Sequence, residues 1–194
     1  ILWLNAGSRI TYSQGFGVGN RKIELIGEGY FEVKRNEEVP FLVKTNSLLV
    51  KVLGTKFNFR DYPDDAEAVV SLSEGKVSLN NLLKKEKEAF LLPNERVVLN
   101  KKDGRMHVEY STVSNALQWT NGYLFFDEEL LPDVVKELER SYNVKIQIAS
   151  DTLNTFRFYG NFVHREQNIQ EVLEALSATR KIHYIIEGHN ITLY

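Results

Sequence analysis

The chain has 194 residues, enough for one large domain or two small ones, each with a core of its own. Its 24 Lys and Arg against 26 Asp and Glu leave a formal charge of −2, so no field of one sign gathers nucleic acid or anionic lipid. Cysteine is absent, which excludes thiolate nucleophiles, thiolate metal sites and disulfides.

The start, Ile1-Leu2-Trp3-Leu4-Asn5, has no Met and no basic flank ahead of a long apolar region, and no window of about 18 apolar residues follows. The chain therefore reads as an excised soluble fragment. Short strands are expected over residues 22–26, 30–34, 41–45, 48–53, 56–62, 68–72, 76–79, 96–100 and 107–110. Apolar and polar residues alternate there, as in Tyr30-Phe31-Glu32-Val33-Lys34 and Lys76-Val77-Ser78-Leu79-Asn80, the period of a half-buried strand. Gly and Pro punctuate them, with breaks expected at Gly27 and Gly29. An all-β domain over 1–112 follows, solenoid-like or a sandwich of short strands. The charged run 82–89 is expected to be a solvated hairpin tip.

A linker is expected over 113–121, anchored by Trp119. Beyond it the period changes. Leu131, Val134, Val135, Leu138 and Tyr142 form one apolar helical stripe, which Pro132 starts in its first turn, and Ile169, Val172, Leu173 and Leu176 repeat it. A shift of 38 residues places Gly122 on Gly160, Leu124 on Phe162, Leu131 on Ile169 and Val144 on Ile182. The repeat predicts a small α+β domain over 122–194 made of two β-α-β units on one sheet, with first strands at 122–126 and 157–162 and second strands at 144–149 and 182–187. A last strand over 190–194 closes a hairpin across Gly188-His189. Charge divides the same way: residues 1–110 carry 17 basic and 15 acidic side chains, and 111–194 carry 7 and 11.

Reactive chemistry finds few ingredients. His107, His164, His183 and His189 all follow residue 106, so the first 106 residues lack the imidazoles a transition-metal site uses, and His164, His183 and His189 read as surface residues. Asp61, Asp64, Asp65 and Glu67 lack the spacing of an EF-hand loop, and Pro63-Asp64 is turn chemistry. There is no G-x-S-x-G, and Gly15, Gly17 and Gly19 precede a strand, where no helix N-terminus can meet a phosphate. No cofactor, metal or catalytic side chain is expected, and the chain is not expected to be an enzyme. A carbohydrate-binding or adhesive module is the rival class, since Trp3, Tyr12, Tyr30, Tyr110, Trp119 and Tyr159 would make a platform if exposed together.

Several runs carry a family resemblance. Trp3-Leu4-Asn5-Ala6-Gly7-Ser8-Arg9-Ile10-Thr11-Tyr12, Arg21 to Val33 with its Gly27-Glu28-Gly29-Tyr30-Phe31-Glu32-Val33 end, Pro40-Phe41, Val50-Lys51-Val52-Leu53-Gly54-Thr55-Lys56-Phe57-Asn58 and Glu74-Gly75-Lys76-Val77 resemble the FecR family. Gly29 stands where the family usually has Ala, and Ser13 near where it has Pro. Trp119, Asn121-Gly122, Phe126, Leu138 to Val144 and Gly160-Asn161-Phe162 are similar to the small C-terminal domain that follows FecR domains. The doubled plan is similar to the short N-terminal domain of secretins and TonB-dependent transducers.

The resemblance implies a periplasmic signal-receiving region of an anti-sigma factor anchored in the inner membrane. Its implied partners are the signalling domain of a TonB-dependent outer-membrane transporter and, through an N-terminal segment outside this chain, a sigma factor. It implies no nucleic-acid partner, and membrane contact only through a transmembrane helix outside the chain. A D-G-T turn usually precedes the Trp-Leu-Asn run, so the first domain is expected to lack an edge strand. The strand 190–194, or 122–126, is expected to offer an open edge to the transporter. Some relatives cleave themselves at a Gly-Thr bond, and Gly54-Thr55 matches that dipeptide. The alternative is that Gly54 permits a bulge or tight turn and Thr55 begins a strand.

Overall fold

The structure, a computed structural model, describes residues 1–111, 113–178 and 180–194. The domain end expected at residue 112 falls on Thr112, outside the described residues. The chain divides into two compact units, Ile1–Thr120 and Asn121–Tyr194.

The first unit is built on strands β1 (Leu2–Leu4), β2 (Arg9–Tyr12), β3 (Arg21–Glu32), β4 (Phe41–Lys44), β5 (Leu48–Val52), β6 (Lys56–Asp61), β7 (Glu67–Glu74), β8 (Val77–Asn81), β9 (Ala89–Leu91), β10 (Glu95–Asn100) and β11 (Met106–Tyr110). Their order is β11-β10-β7-β6-β3-β4-β5-β8-β9, with β1 and β2 also on β3. The ends approach each other where β9 touches β10, so the sheet is nearly closed. The tip between β8 and β9 is charged and exposed.

Strand β3 organises the unit. Its first half lies between β2 and β4, with Ile23 opposite Tyr12 and Val43, and its second half lies between β1 and β6, with Phe31 opposite Leu2 and Phe57. The two strands expected at 22–26 and 30–34 are thus one. Gly27 makes this possible: its φ is +102°, and a Cβ there would sit 2.8 Å from the Ser8 Cα. A glycine that reads as a break in the sequence is the point where one strand changes neighbours. Between the two halves Phe31, Phe57, Phe59, Leu25, Leu72 and Leu99 are fully buried, and Phe31 stacks on Phe57 at 4.9 Å and 15°. Each such side chain contributes roughly 1.5–3 kcal/mol of burial.

A short helix, α1 (Val113–Ala116), and a 3-10 turn, Gln118–Asn121, follow. The second unit then runs β12 (Tyr123–Leu130), α2 (Leu131–Tyr142), β13 (Lys145–Ile148), a 3-10 turn Asp151–Thr155, β14 (Arg157–Val163), α3 (Ile169–Ser177), β15 (Tyr184–Glu187) and β16 (Asn190–Leu193). The helical stripe is buried on Leu131, Val134, Val135 and Leu138. Asn143, left-handed at φ 53°, ends α2 with its N–H on the Glu139 carbonyl. Asn168 and Glu171 cap α3 reciprocally.

Strand, helix and strand do follow each other twice, but the strands do not share one sheet. β12 pairs antiparallel with β14, while β13 and β15 lie in a second sheet on either side of β16, parallel and antiparallel to it respectively. β12 runs into α2 with no intervening residue, and two residues separate α2 from β13. The first junction is shorter than the usual loops of about 2–6 residues and the second stands at their lower limit.

Inside this unit Phe158 and Phe162 stack at 6.0 Å and 6° across Gly160, where a Cβ would lie 2.6 Å from Phe158 Cε1. Gly160→Ala is expected to destabilise the second unit by about 1–3 kcal/mol through overpacking, read as an earlier transition in chemical denaturation.

Candidate functional site

Polar groups in the first unit converge on Glu28, which is 4% exposed. Its carboxylate accepts from Asn5 Nδ2 and Asn58 Nδ2, both at 2.8 Å, and the Arg60 guanidinium stands 3.9 Å away. The Glu28 N–H donates to Ser8 Oγ, and its carbonyl accepts from Asn5 N. Trp119 Nε1 donates to Asn58 Oδ1 at 3.2 Å, so Trp119, expected as an anchor, joins this network. Asn5, Ser8, Glu28, Asn58 and Trp119 all stand in the runs that carry the family resemblance, but no period or spacing in the sequence joined them into one network. The signal available was Glu28 itself, a charge between two glycines in a run that otherwise packs.

Two of the acidic residues considered for calcium are paired with cations. Asp61 pairs with Lys101 Nζ at 2.6 Å and Asp65 with Arg60 at 2.9 Å. A cavity of about 130 Å³ beside them is lined by Leu25, Ser47, Asp61, Pro63 and Lys101 among others. The histidines are scattered. His164 Nε2 lies 2.8 Å from the Ser141 carbonyl with its ring 4.8 Å from that of Tyr142, His183 lies beside Tyr194, and His107 stands 3.6 Å from Glu109. No group of three or more His, Asp or Glu able to hold a metal occurs among the described residues. Burial, then Glu171, pushes the Tyr142 phenol above its ordinary value, consistent with its role as donor to the Gln167 carbonyl.

Among the described residues no flat platform of the candidate aromatic rings occurs within either unit; Trp3 meets Tyr30 tilted at 38°. Tyr12, Tyr110 and Tyr159 are exposed on β2, β11 and β14, while Tyr30 is buried. The exposed rings that do meet another are tilted or edge-on: Tyr12 with Phe16 at 53°, Tyr159 with Phe125 at 76°. The parallel stacks are the buried phenylalanine pairs of each core.

Gly54 and Thr55 lie between β5 and β6. A Cβ on Gly54 would stand 2.6 Å from the Arg35 Cα. Thr55 is 3% exposed, exchanges backbone hydrogen bonds with Val33, and its hydroxyl donates to the Lys76 carbonyl at 3.1 Å. Gly75, at φ +93°, packs its Cα against the Gly54 carbonyl, which a Cβ would approach to 2.8 Å.

In the second unit the expected docking edge 190–194 is not an edge. Gly188, at φ 65°, turns the chain into β16, which inserts between β13 and β15 and is paired on both sides. The edges are β13 and β15 in one sheet and β12 and β14 in the other. No helix among the described residues is long and apolar enough to cross a membrane.

A nearly closed β unit is thus followed by a small α+β unit whose two sheets end in open strand edges. The FecR protein family model matches residues 1–78, and the FecR, C-terminal model matches residues 123–193. Two crystal structures of a candidate anti-sigma factor from Parabacteroides distasonis ATCC 8503, at 1.65 and 2.50 Å resolution, superpose on 100% of this chain, each with a TM-score of 0.88 and 32% identity. They are covered to 89% and 88% of their own length. No curated protein matches the chain. The chain belongs to the FecR family of anti-sigma factors.

Lys101→Met leaves the buried Asp61 carboxylate without its cation and is expected to cost about 3–5 kcal/mol, while Trp119→Phe, which removes one hydrogen bond, is expected to cost about 1 kcal/mol. Equilibrium urea unfolding measures both; equal effects would contradict the ranking.

Proposed function

We propose that this chain is the signal-receiving region of a membrane-anchored anti-sigma factor, with an all-β domain over 1–112, a connecting segment over 113–121 and a receiving domain over 122–194. It works in the periplasm. A transmembrane helix and a sigma-binding segment outside this chain connect it to the inner membrane and the cytoplasm, and its second unit receives the signalling domain of a TonB-dependent outer-membrane transporter. The supporting observation is the match of the C-terminal family model to a unit whose two sheets end in strand edges. Such edges bind a partner through backbone hydrogen bonds and need no catalytic group. The tilted, dispersed aromatic rings give the carbohydrate-binding or adhesive alternative no flat surface.

The Gly54-Thr55 bond reads best as backbone geometry. The Arg35 main chain leaves no room for a Cβ on Gly54, and the Thr55 hydroxyl is engaged by the Lys76 carbonyl rather than by a base. Mass spectrometry of the purified protein is expected to return the intact mass. Two fragments that Thr55→Ala abolishes would instead establish self-cleavage at this bond.

Titration calorimetry of the chain with the isolated signalling domain of the transporter encoded beside it is expected to give a dissociation constant on the order of micromolar, as for modest transient interfaces. Absence of binding for every cognate pair would refute the assignment.

A further inference from the structure

The sheet of β13, β16 and β15 leaves its apolar rows open at one end. Its register aligns Ile146, Ile191 and Ile186 across the three strands, and Ile148, Leu193 and Tyr184 in the next row on the same face. Along the first row exposure is 8% at Ile146, 2% at Ile191 and 40% at Ile186. Along this row the face that is covered on β13 and β16 is uncovered on β15 at Ile186, while Tyr184 in the next row is half-buried against the core.

The backbone shows the same opening. His183 and Tyr194 exchange two hydrogen bonds, so the bonded pairs of the hairpin continue at Ile185 with Thr192 and Glu187 with Asn190. The N–H and C=O groups of Tyr184 and Ile186 then point away from β16. Among the described residues no loop or side chain is hydrogen-bonded to them.

The other edges of this unit carry features that oppose strand addition. On β13 the Ile146 N–H is taken by Glu139 Oε1 at 2.8 Å. On β14 the Val163 N–H is taken by Gln167 Oε1 at 2.8 Å. β12 is bent by a bulge between Phe126 and Glu129, with Glu128 at φ 54° and Asp127, Glu128 and Glu129 all exposed. β15 is regular, and its sequence Tyr184-Ile185-Ile186-Glu187 favours the extended state.

We propose that β15 is the edge to which a strand of the transporter's signalling domain adds, making β13-β16-β15 a four-stranded sheet. This rests on the function proposed above and goes beyond it by naming the strand, its register and the chemistry of its occupant. The incoming strand bonds the outward groups of Tyr184 and Ile186. An aliphatic side chain opposite Ile186 continues the Ile146–Ile191–Ile186 row, and a second one two residues along covers Tyr184. On the other face Lys145, Asn190 and Glu187 align, so the position opposite Glu187 suits Lys or Arg. The second unit, with seven basic and eleven acidic side chains over 121–194, favours such a basic strand.

The test uses the whole chain and the cognate signalling domain. Ile186→Pro removes an outward N–H and leaves the hairpin ladder intact, a place where an edge strand accepts proline. Ile186→Lys keeps the N–H and sets a charge in the open row. Each is expected to weaken binding by about tenfold or more with little change in thermal unfolding, and Asn161→Pro on β14 is expected to leave binding unchanged. Amide exchange at Tyr184 and Ile186 should slow on binding, and this readout with Ile186→Lys decides the matter if the proline variant does not fold. Unaltered binding by both Ile186 variants, without added protection at Tyr184 and Ile186, overturns the assignment of β15 and leaves the proposed function standing. Failure of the unmodified chain to bind overturns both. A homodimer that Ile186→Pro abolishes overturns the occupant in favour of a second copy of this chain.

Discussion

A buried carboxylate sets the terms for the first unit. Glu28 is withdrawn from water, and removing an ion of that size from solvent costs several kcal/mol unless its lone pairs are satisfied. They are met by Asn5 from the turn after β1, by Asn58 from β6, and by the charge of Arg60. Asn58 is in turn held by Trp119, at the end of the unit. The N-terminal turn, the middle of the sheet and the last residues of the unit must therefore be in place together. Glu28 follows Gly27, where β3 passes from one set of neighbours to the other, so the polar network and the backbone crossing stabilise the same point.

The two units manage their strand edges differently, and this difference bears on function. In the first, eleven strands nearly close, leaving an apolar interior that is stapled by Phe31 on Phe57 and rimmed by ion pairs such as Asp61 with Lys101. The second divides five short strands between two small sheets and keeps strand edges at its surface. In the role proposed for this chain, relaying the state of a partner needs a stable body and a surface that can accept and release a strand. Backbone pairing supplies that without reactive side chains, which suits a chain without cysteine and with scattered histidines.

Much of the architecture was legible from local periods. Alternation marks β4, β5 and β8 because each buries one face, and the 3.6-residue stripe marks α2 and α3 because Leu131, Val134, Leu138, Val172 and Leu176 all reach the core. The continuity of β3 was hidden, because a glycine with positive φ and a glycine that ends a strand look alike in one dimension. β1, with three residues, is too short to display a period. The recurring strand-helix-strand order was visible as a 38-residue repeat, but local pattern does not encode which strand pairs with which, so two β-α-β units on one sheet were expected where the strands divide between two sheets. The same limit applies to the two strands expected to be open: 190–194 comes last in the chain yet lies in the middle of its sheet, whereas 122–126 falls in a sheet of two strands and is an edge.

By itself, the amino-acid order determined what each segment could become, since side-chain alternation, capping residues and the absence of thiols act over a few neighbours or over composition alone. It also determined the family, through runs of residues whose succession is specific. Tertiary structure alone decided where Glu28 finds its donors, which glycines sit where a side chain cannot fit, and which strand is left unpaired. Those are contacts between residues far apart in the chain, such as Asn5 with Glu28 or Ile146 with Ile191, and they exist only once the strands have chosen their neighbours.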